Sequence, residues 1–239
     1  MSEEKKAMSL WAHLDELRKR LFYSLIGLIL GVILSVIFAE YLLNIIAQPI
    51  GGLENLLSIQ VTENLSVYFR VTLLAGFIIT LPFTLFQIYL FVAPGLTKRE
   101  RGWILVAVPF ATLLFCTGAV FAYLVMLPAA IPFLVQFPGP EVLPKWKDYV
   151  NFVTNLVFWI GLSFETPLAM FVLAKLGIID AKGLAKQWRI ALIAIAVIAA
   201  VATPTPDPIN MALLMGPLFL LYLLGILLAA LARKKKLKE

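Results

Sequence analysis

Three glutamates stand out in a chain that carries little charge. Glu16 sits in LDELRKR beside Arg18, Lys19 and Arg20, Glu100 sits in GLTKRER beside Lys98, Arg99 and Arg101, and Glu165 sits in LSFETPL within an apolar run. A carboxylate amid surface cations is suited to a guanidinium ligand, because arginine can give it two parallel hydrogen bonds that a lysine ammonium cannot reproduce. Glu16 taken alone is equally explained as a local ion pair with Arg20, four residues on. Glu165 poses a different problem. An ionised acid in hydrocarbon costs about 2.5–3.5 kcal/mol even on lenient insertion scales, so its side chain must face protein or water, or be protonated. A neutral acid satisfied among its own neighbours is the plain alternative.

Other chemistries find no residues. One Cys and one His cannot build a zinc site of the usual kind, and no GxxxxGK[ST] loop is present to cradle a phosphate, so no cofactor is expected. Cys116, alone in an apolar run, reads as packing, and His13 as an interfacial polar residue. A serine or aspartyl protease is disfavoured because the single His lies near the N-terminus and no aspartate pair falls in the apolar runs. An ion-coupled solute transporter built around Glu165 would need more ionisable groups or an inverted repeat, and neither is evident.

The elements that position these groups follow from composition. Apolar residues make up 62% of 239 positions and charged residues 14%, which places the chain in a bilayer. Runs long enough for a helix to cross about 30 Å of hydrocarbon lie at 21–39, 67–91, 103–127, 149–174, 188–203 and 209–231. The expected fold is therefore an all-α integral membrane protein of six transmembrane helices. The fifth would reach only about 24 Å, which suggests local thinning of the bilayer. Lys and Arg crowd residues 5–20, 98–101, 175–189 and 233–238, leaving only Arg70, Lys145 and Lys147 for the other side, so both termini are expected in the cytoplasm. The net charge of +6 is then a topological signal with some attraction to anionic lipid. The whole chain reads as one membrane domain, with an amphipathic segment at 1–20, the spans over 21–231 and a basic tail at 232–239. A cleavable signal peptide is not expected, since the first apolar run is a full span with no small-residue cleavage site after it.

Finer patterns add detail. Residues 9–20 alternate Leu10, Leu14 and Leu17 with charge at helical spacing, and Trp11 suits the headgroup level. Small residues recur at Gly27, Gly31 and Ser35, at Ala196 and Ala200, and at Gly225 and Ala229, marking faces for close helix contact within the bundle or with partners. In the fourth span Asn151, Asn155, Leu162 and Glu165 fall near one stripe with Thr166 beside it, and Pro167 disturbs the carbonyl of Ser163. This describes a wet, concave region inside the membrane. Pro204, Pro206 and Pro208 impose a tight turn in which Asp207 can bind backbone donors.

The motifs HLDELRKRL at 13–21, FVAPGLTKRER at 91–101, FETPLA at 164–169 and TPTPDPIN at 203–210 together resemble the TatC family, the multispanning core of the twin-arginine protein translocase. The resemblance covers nearly the whole chain. It implies a receptor, not an enzyme, for the twin-arginine signal peptides of folded cargo, assembling with TatA- and TatB-type single-span subunits and with other copies of itself in the cell membrane, and drawing on the protonmotive force. Carried onto this sequence, it places recognition on Glu16, Arg18, Phe91 and Glu100, with His13, Leu17 and Arg20 completing the first motif. Pro94 and Leu96 would shape the second motif's loop, and Pro49 and Tyr123 fall at functionally sensitive positions. It also implies a curved, glove-like arrangement with a concavity around Glu165, a buried polar residue that meets partner helices or thins the bilayer. The sequence departs from the family pattern at Gly95, Thr97 and Met211.

Overall fold

The computed structural model describes residues 10–135, 144–203 and 208–232. Among them no strand occurs, and ten helices follow in order: α1 (Leu10–Ile37), α2 (Ala39–Ala47), α3 (Glu63–Val92), α4 (Lys98–Phe121), α5 (Leu127–Val135), α6 (Trp146–Phe164), α7 (Thr166–Lys175), α8 (Ala181–Lys186), α9 (Trp188–Ala202) and α10 (Pro208–Ala232). Five stretches are long and apolar enough to cross a membrane, namely Trp11–Ile37, Glu63–Gly95, Glu100–Pro132, Trp146–Lys175 and Met211–Ala232, and Trp188–Ala202 is a shorter apolar helix. They coincide with the expected runs. At 15 residues α9 is about 22 Å long, so the fifth run is as short as the sequence suggested.

Two features were not expected. The loop after the first span begins with helix α2, and the fourth span is not one helix: α6 stops at Phe164 and α7 starts at Thr166. The reason for the break is local. Pro167 has no N–H for the carbonyl of Ser163 and its ring crowds that carbonyl, so the ladder lapses around Glu165, whose N–H turns to Leu162 at 3.2 Å.

Helix α6 is the centre of the molecule, with Tyr149, Val150, Phe152, Val153, Leu156 and Ile160 all buried. Helices α3, α4, α9 and α10 pack on it, α7 packs mainly on α10, and α1 packs almost wholly on α3. In lipid such contacts rest on close van der Waals approach, which small residues permit. A Cβ on Gly31 would lie 2.7 Å from the Gly76 carbonyl oxygen, and one on Gly76 would lie 2.6 Å from the Val32 nitrogen. The Ser35 hydroxyl extends this seam by donating to the Thr72 carbonyl at 2.7 Å. The small-residue face of the first span is thus consumed inside the bundle. So is Gly225, which lies against Met170 and Pro167. Ala229 is buried too, whereas Ala200 is exposed beside an outward face of α9 that carries Ile193 and Val197. At one end of the bundle the two long loops are tied together, Leu57 donating to the Pro144 carbonyl at 3.1 Å and accepting from the Trp146 N–H at 2.8 Å.

Candidate functional site

At the opposite end, the first turns of α1 meet the last turns of α3. Residues three, four and seven apart share a helix face, so His13, Glu16 and Arg20 look across at Gln87 and Phe91. The His13 ring stacks on Phe91 with centroids 4.4 Å apart and planes at 25°. Nε and Nη2 of Arg20 both reach Oε1 of Glu16 at 2.6 Å, and Nη1 donates to Oε1 of the buried Gln87 at 3.2 Å. The i,i+4 pair that the sequence left open is therefore made. Yet both bonds go to one oxygen: among the described residues Oε2 of Glu16 receives none, and the side chain keeps 21% of its exposure. The site is a carboxylate held rigid from one side and available from the other.

The second motif is shaped by its own backbone. Ala93–Gly95 form a 3-10 turn with Pro94 inside it, Leu96 donates back to Ala93 at 3.1 Å, and Arg101 Nε clamps the same carbonyl at 2.8 Å. Thr97 then caps α4. Its hydroxyl accepts the Glu100 N–H, while Oε2 of Glu100 accepts the Thr97 N–H and hydroxyl, each at 2.8 Å. One oxygen of Glu100 is thus spent on starting the helix. Arg18 lies elsewhere, lining an open hollow with Asp15, Lys19, Leu21, Phe22 and Leu25, and Leu17 is exposed. Of the expected recognition residues the structure clusters His13, Glu16, Arg20 and Phe91, and leaves Arg18 on another flank of α1.

Pro49 and Tyr123 meet at the loop end. Helix α2 ends where Pro49 offers no N–H to the Ile45 carbonyl, which the Gln48 N–H shares with that of Asn44. The Tyr123 hydroxyl donates to Ile45 instead at 2.6 Å, and the Tyr149 hydroxyl donates to the Ile46 carbonyl at 2.8 Å. Two tyrosines cap one helix.

Glu165 is not the sole charged side chain within the long apolar stretches. Arg70, read from sequence as an outer charge, lies on α3 inside the run 67–91, its Nε 2.6 Å from Thr154 Oγ1 and its Nη2 2.6 Å from Asn155 Oδ1. Arg70 and Gln87 are seventeen residues apart on one helix, about 26 Å, so the two polar ties of α3 bracket nearly the thickness of a hydrocarbon core. Glu165 is ten residues beyond Asn155, about 15 Å deeper, close to the middle of that interval. Its Oε1 is enclosed and finds no hydrogen-bond partner among the described residues. Asn155 serves Arg70, so the polar stripe imagined from Asn151 to Glu165 divides into a satisfied outer part and a solitary acid, too far apart to exchange a proton. Asn151 is half-buried, and Asp207 lies outside the described residues.

Sequence reasoning missed Arg70, Gln87, Thr97, Tyr149 and Thr154. Two carried a signal: Thr97 and Glu100 form the T-x-x-E capping pattern, and Arg70 is a charge inside an apolar run.

A family model described as Sec-independent protein translocase protein (TatC) matches residues 12–217. A Carboxydothermus hydrogenoformans protein named Sec-independent protein translocase protein TatC is 37% identical, over 98% of this chain and 97% of its own. One of the same name from Deinococcus radiodurans is 36% identical over 94% and 86%. A crystal structure of a twin arginine translocase receptor, TatC, superposes with a TM-score of 0.83 at 34% identity, covering 93% of this chain and all of that one.

Proposed function

This chain belongs to the TatC family of protein translocase proteins, and from that premise we propose that it receives twin-arginine signal peptides at the end where α1 meets α3 and α4. It is a multi-pass membrane protein and a transport subunit, not a catalyst. The observation that carries the reading is Glu16. Its Oε2 is open while Arg20 and Gln87 fix Oε1, so an arriving arginine finds a pre-oriented carboxylate and need not displace the resident guanidinium. The His13–Phe91 stack beside it offers an aromatic surface to the second guanidinium or to the apolar segment behind it. Glu100, at the head of α4, contributes negative charge to the same end of the bundle, with Arg18 and Leu17 flanking.

The distribution of Lys and Arg supports placing this end, and both termini, in the cytoplasm, with six helices crossing the cell membrane as a single domain over 1–239. Glu165 then lies near mid-depth, where an unpartnered acid oxygen suits contact with water or with polar groups of TatA- and TatB-type helices. Export of folded cargo on the protonmotive force is consistent with a sequence that carries no GxxxxGK[ST] loop.

Site-specific crosslinking and titration of a labelled Arg-Arg peptide against its Lys-Lys counterpart tests the proposal. Selective capture of the Arg-Arg peptide through residues flanking Glu16 is expected, and equal capture of both peptides would overturn it.

A further inference from the structure

Arg70 belongs to neither the recognition end nor the surroundings of Glu165. A guanidinium carries five N–H donors and a fixed positive charge. Thr154 and Asn155 take two of the five, and among the described residues no carboxylate pairs with it. Both acceptors are neutral. The Thr154 hydroxyl is itself committed to the Val150 carbonyl at 2.7 Å, so it orients the fork without compensating the charge. Among the described residues Nη1 makes no hydrogen bond, and it is not enclosed. An arginine so held is aimed at an anion.

Its depth says which anion. The apolar stretch Glu63–Gly95 has 33 residues, about 50 Å of helix, which exceeds a hydrocarbon core of about 30 Å by some 10 Å at each end. Arg70 lies seven residues in from Glu63, at the level where acyl chains give way to headgroups. Phosphodiesters are the anions concentrated there. Thr154 and Asn155 stand at matching depth on α6, and Asn155 adds amide donors beside the guanidinium.

We infer that Arg70, Thr154 and Asn155 form a binding site for the phosphodiester of an anionic lipid in the leaflet at the loop end of the molecule. A phosphate oxyanion accepts the outward N–H pair in the two-pronged geometry that suits arginine, and its charge supplies what the neutral acceptors lack. A zwitterionic headgroup brings its own cation and satisfies the site less well. The site lies at the end away from Arg18, Lys19, Arg20, Lys98 and Arg101, so it is separate from general attraction of that end to acidic membranes.

The test is thermal unfolding of the full chain in phosphatidylcholine nanodiscs with increasing phosphatidylglycerol, with phosphatidylglycerol retained by the purified protein counted by native mass spectrometry. In the parent, phosphatidylglycerol raises Tm and is retained. Arg70→Gln, compared with its own Tm in phosphatidylcholine alone, is expected to lose more than half of the rise and at least one retained lipid. Arg70→Lys, which keeps the charge without the fork, guards against misfolding of the Gln variant and should also respond less than the parent. Lys147→Gln removes an exposed charge from the same end and should leave the response intact. Inorganic phosphate added in detergent should not reproduce the rise; if it does, the site takes free phosphate and the lipid assignment fails. An undiminished response in Arg70→Gln, or an equal loss in Lys147→Gln, refutes the site. Should Asp207→Asn abolish the response as Arg70→Gln does, with no further effect when combined, Arg70 is neutralised within the chain and the inference is wrong.

Discussion

Removing Glu16 should damage signal binding by more than the loss of one acceptor, and the surplus should be reversible. In Glu16→Ala the carboxylate goes, but Arg20 remains tied to buried Gln87 through Nη1 and cannot swing away. An arriving arginine then meets a guanidinium where it would have met an acid. The lost charge-assisted hydrogen bond is worth about 1.5–3 kcal/mol. Two unit charges at 4 Å repel by about 1 kcal/mol even in water, and the site is drier than water. Together these weaken binding by about 2.5–4 kcal/mol, on the order of 10²–10³-fold. Arg20→Ala leaves Glu16 in place and should bind within a few-fold of the parent. The double variant loses the acceptor without the repulsion, so it should bind more tightly than Glu16→Ala, and added salt should narrow the gap between them. The assay is titration of a labelled Arg-Arg peptide into purified protein, with the Lys-Lys peptide in parallel. If Glu16→Ala binds like the parent, or the double variant binds more weakly than Glu16→Ala, the reasoning about Oε2 and the resident arginine fails.

Tyr123→Phe removes the hydroxyl that serves the Ile45 carbonyl and should cost about 1–3 kcal/mol; Pro49→Ala, which restores a backbone donor, should cost less in that background than in the parent, as read by denaturation in detergent. For Glu165, we expect Glu165→Ala to fold and bind signal peptide yet fail to export a folded reporter; normal export would remove any transport role. A cysteine at Thr205 in a Cys116→Ala background should react with an impermeant thiol reagent from outside whole cells, and reaction only after lysis would overturn the six-span topology.

The spans were legible because an apolar run of helical length has one use in a bilayer; the break in the fourth was not expected, although Pro167 marks the Ser163 carbonyl at which the ladder lapses. Four short motifs sufficed for the family, in agreement with the match over residues 12–217. The arrangement at the motif end was only half visible. The Glu16–Arg20 pair follows from i,i+4 spacing, but Gln87 joins it through the α1–α3 contact, which no local pattern encodes. The same limit hid Tyr149 and Thr154, whose partners lie on α2 and α3 far off in sequence. Arg70 was read only as a topological charge, although its position within an apolar run already demanded partners.

The glycine seam between α1 and α3 also bears on how the chain is made. These are the first two long helices to leave the ribosome, and their contact is backbone against backbone, complete without any later segment. They can close into a stable hairpin while the remainder is still being translated, and the Glu16, Arg20 and Gln87 cluster closes with them. Arg70 sits on that early hairpin but donates its hydrogen bonds to α6, which is synthesised more than 70 residues later. For that interval the guanidinium has no acceptor from α6, and the nascent chain depends on the insertion machinery or on surrounding headgroups to shelter it. Biogenesis is therefore front-loaded for the recognition end and delayed for the loop end, and a lesion in α6 should be felt first as a failure of insertion quality control at Arg70.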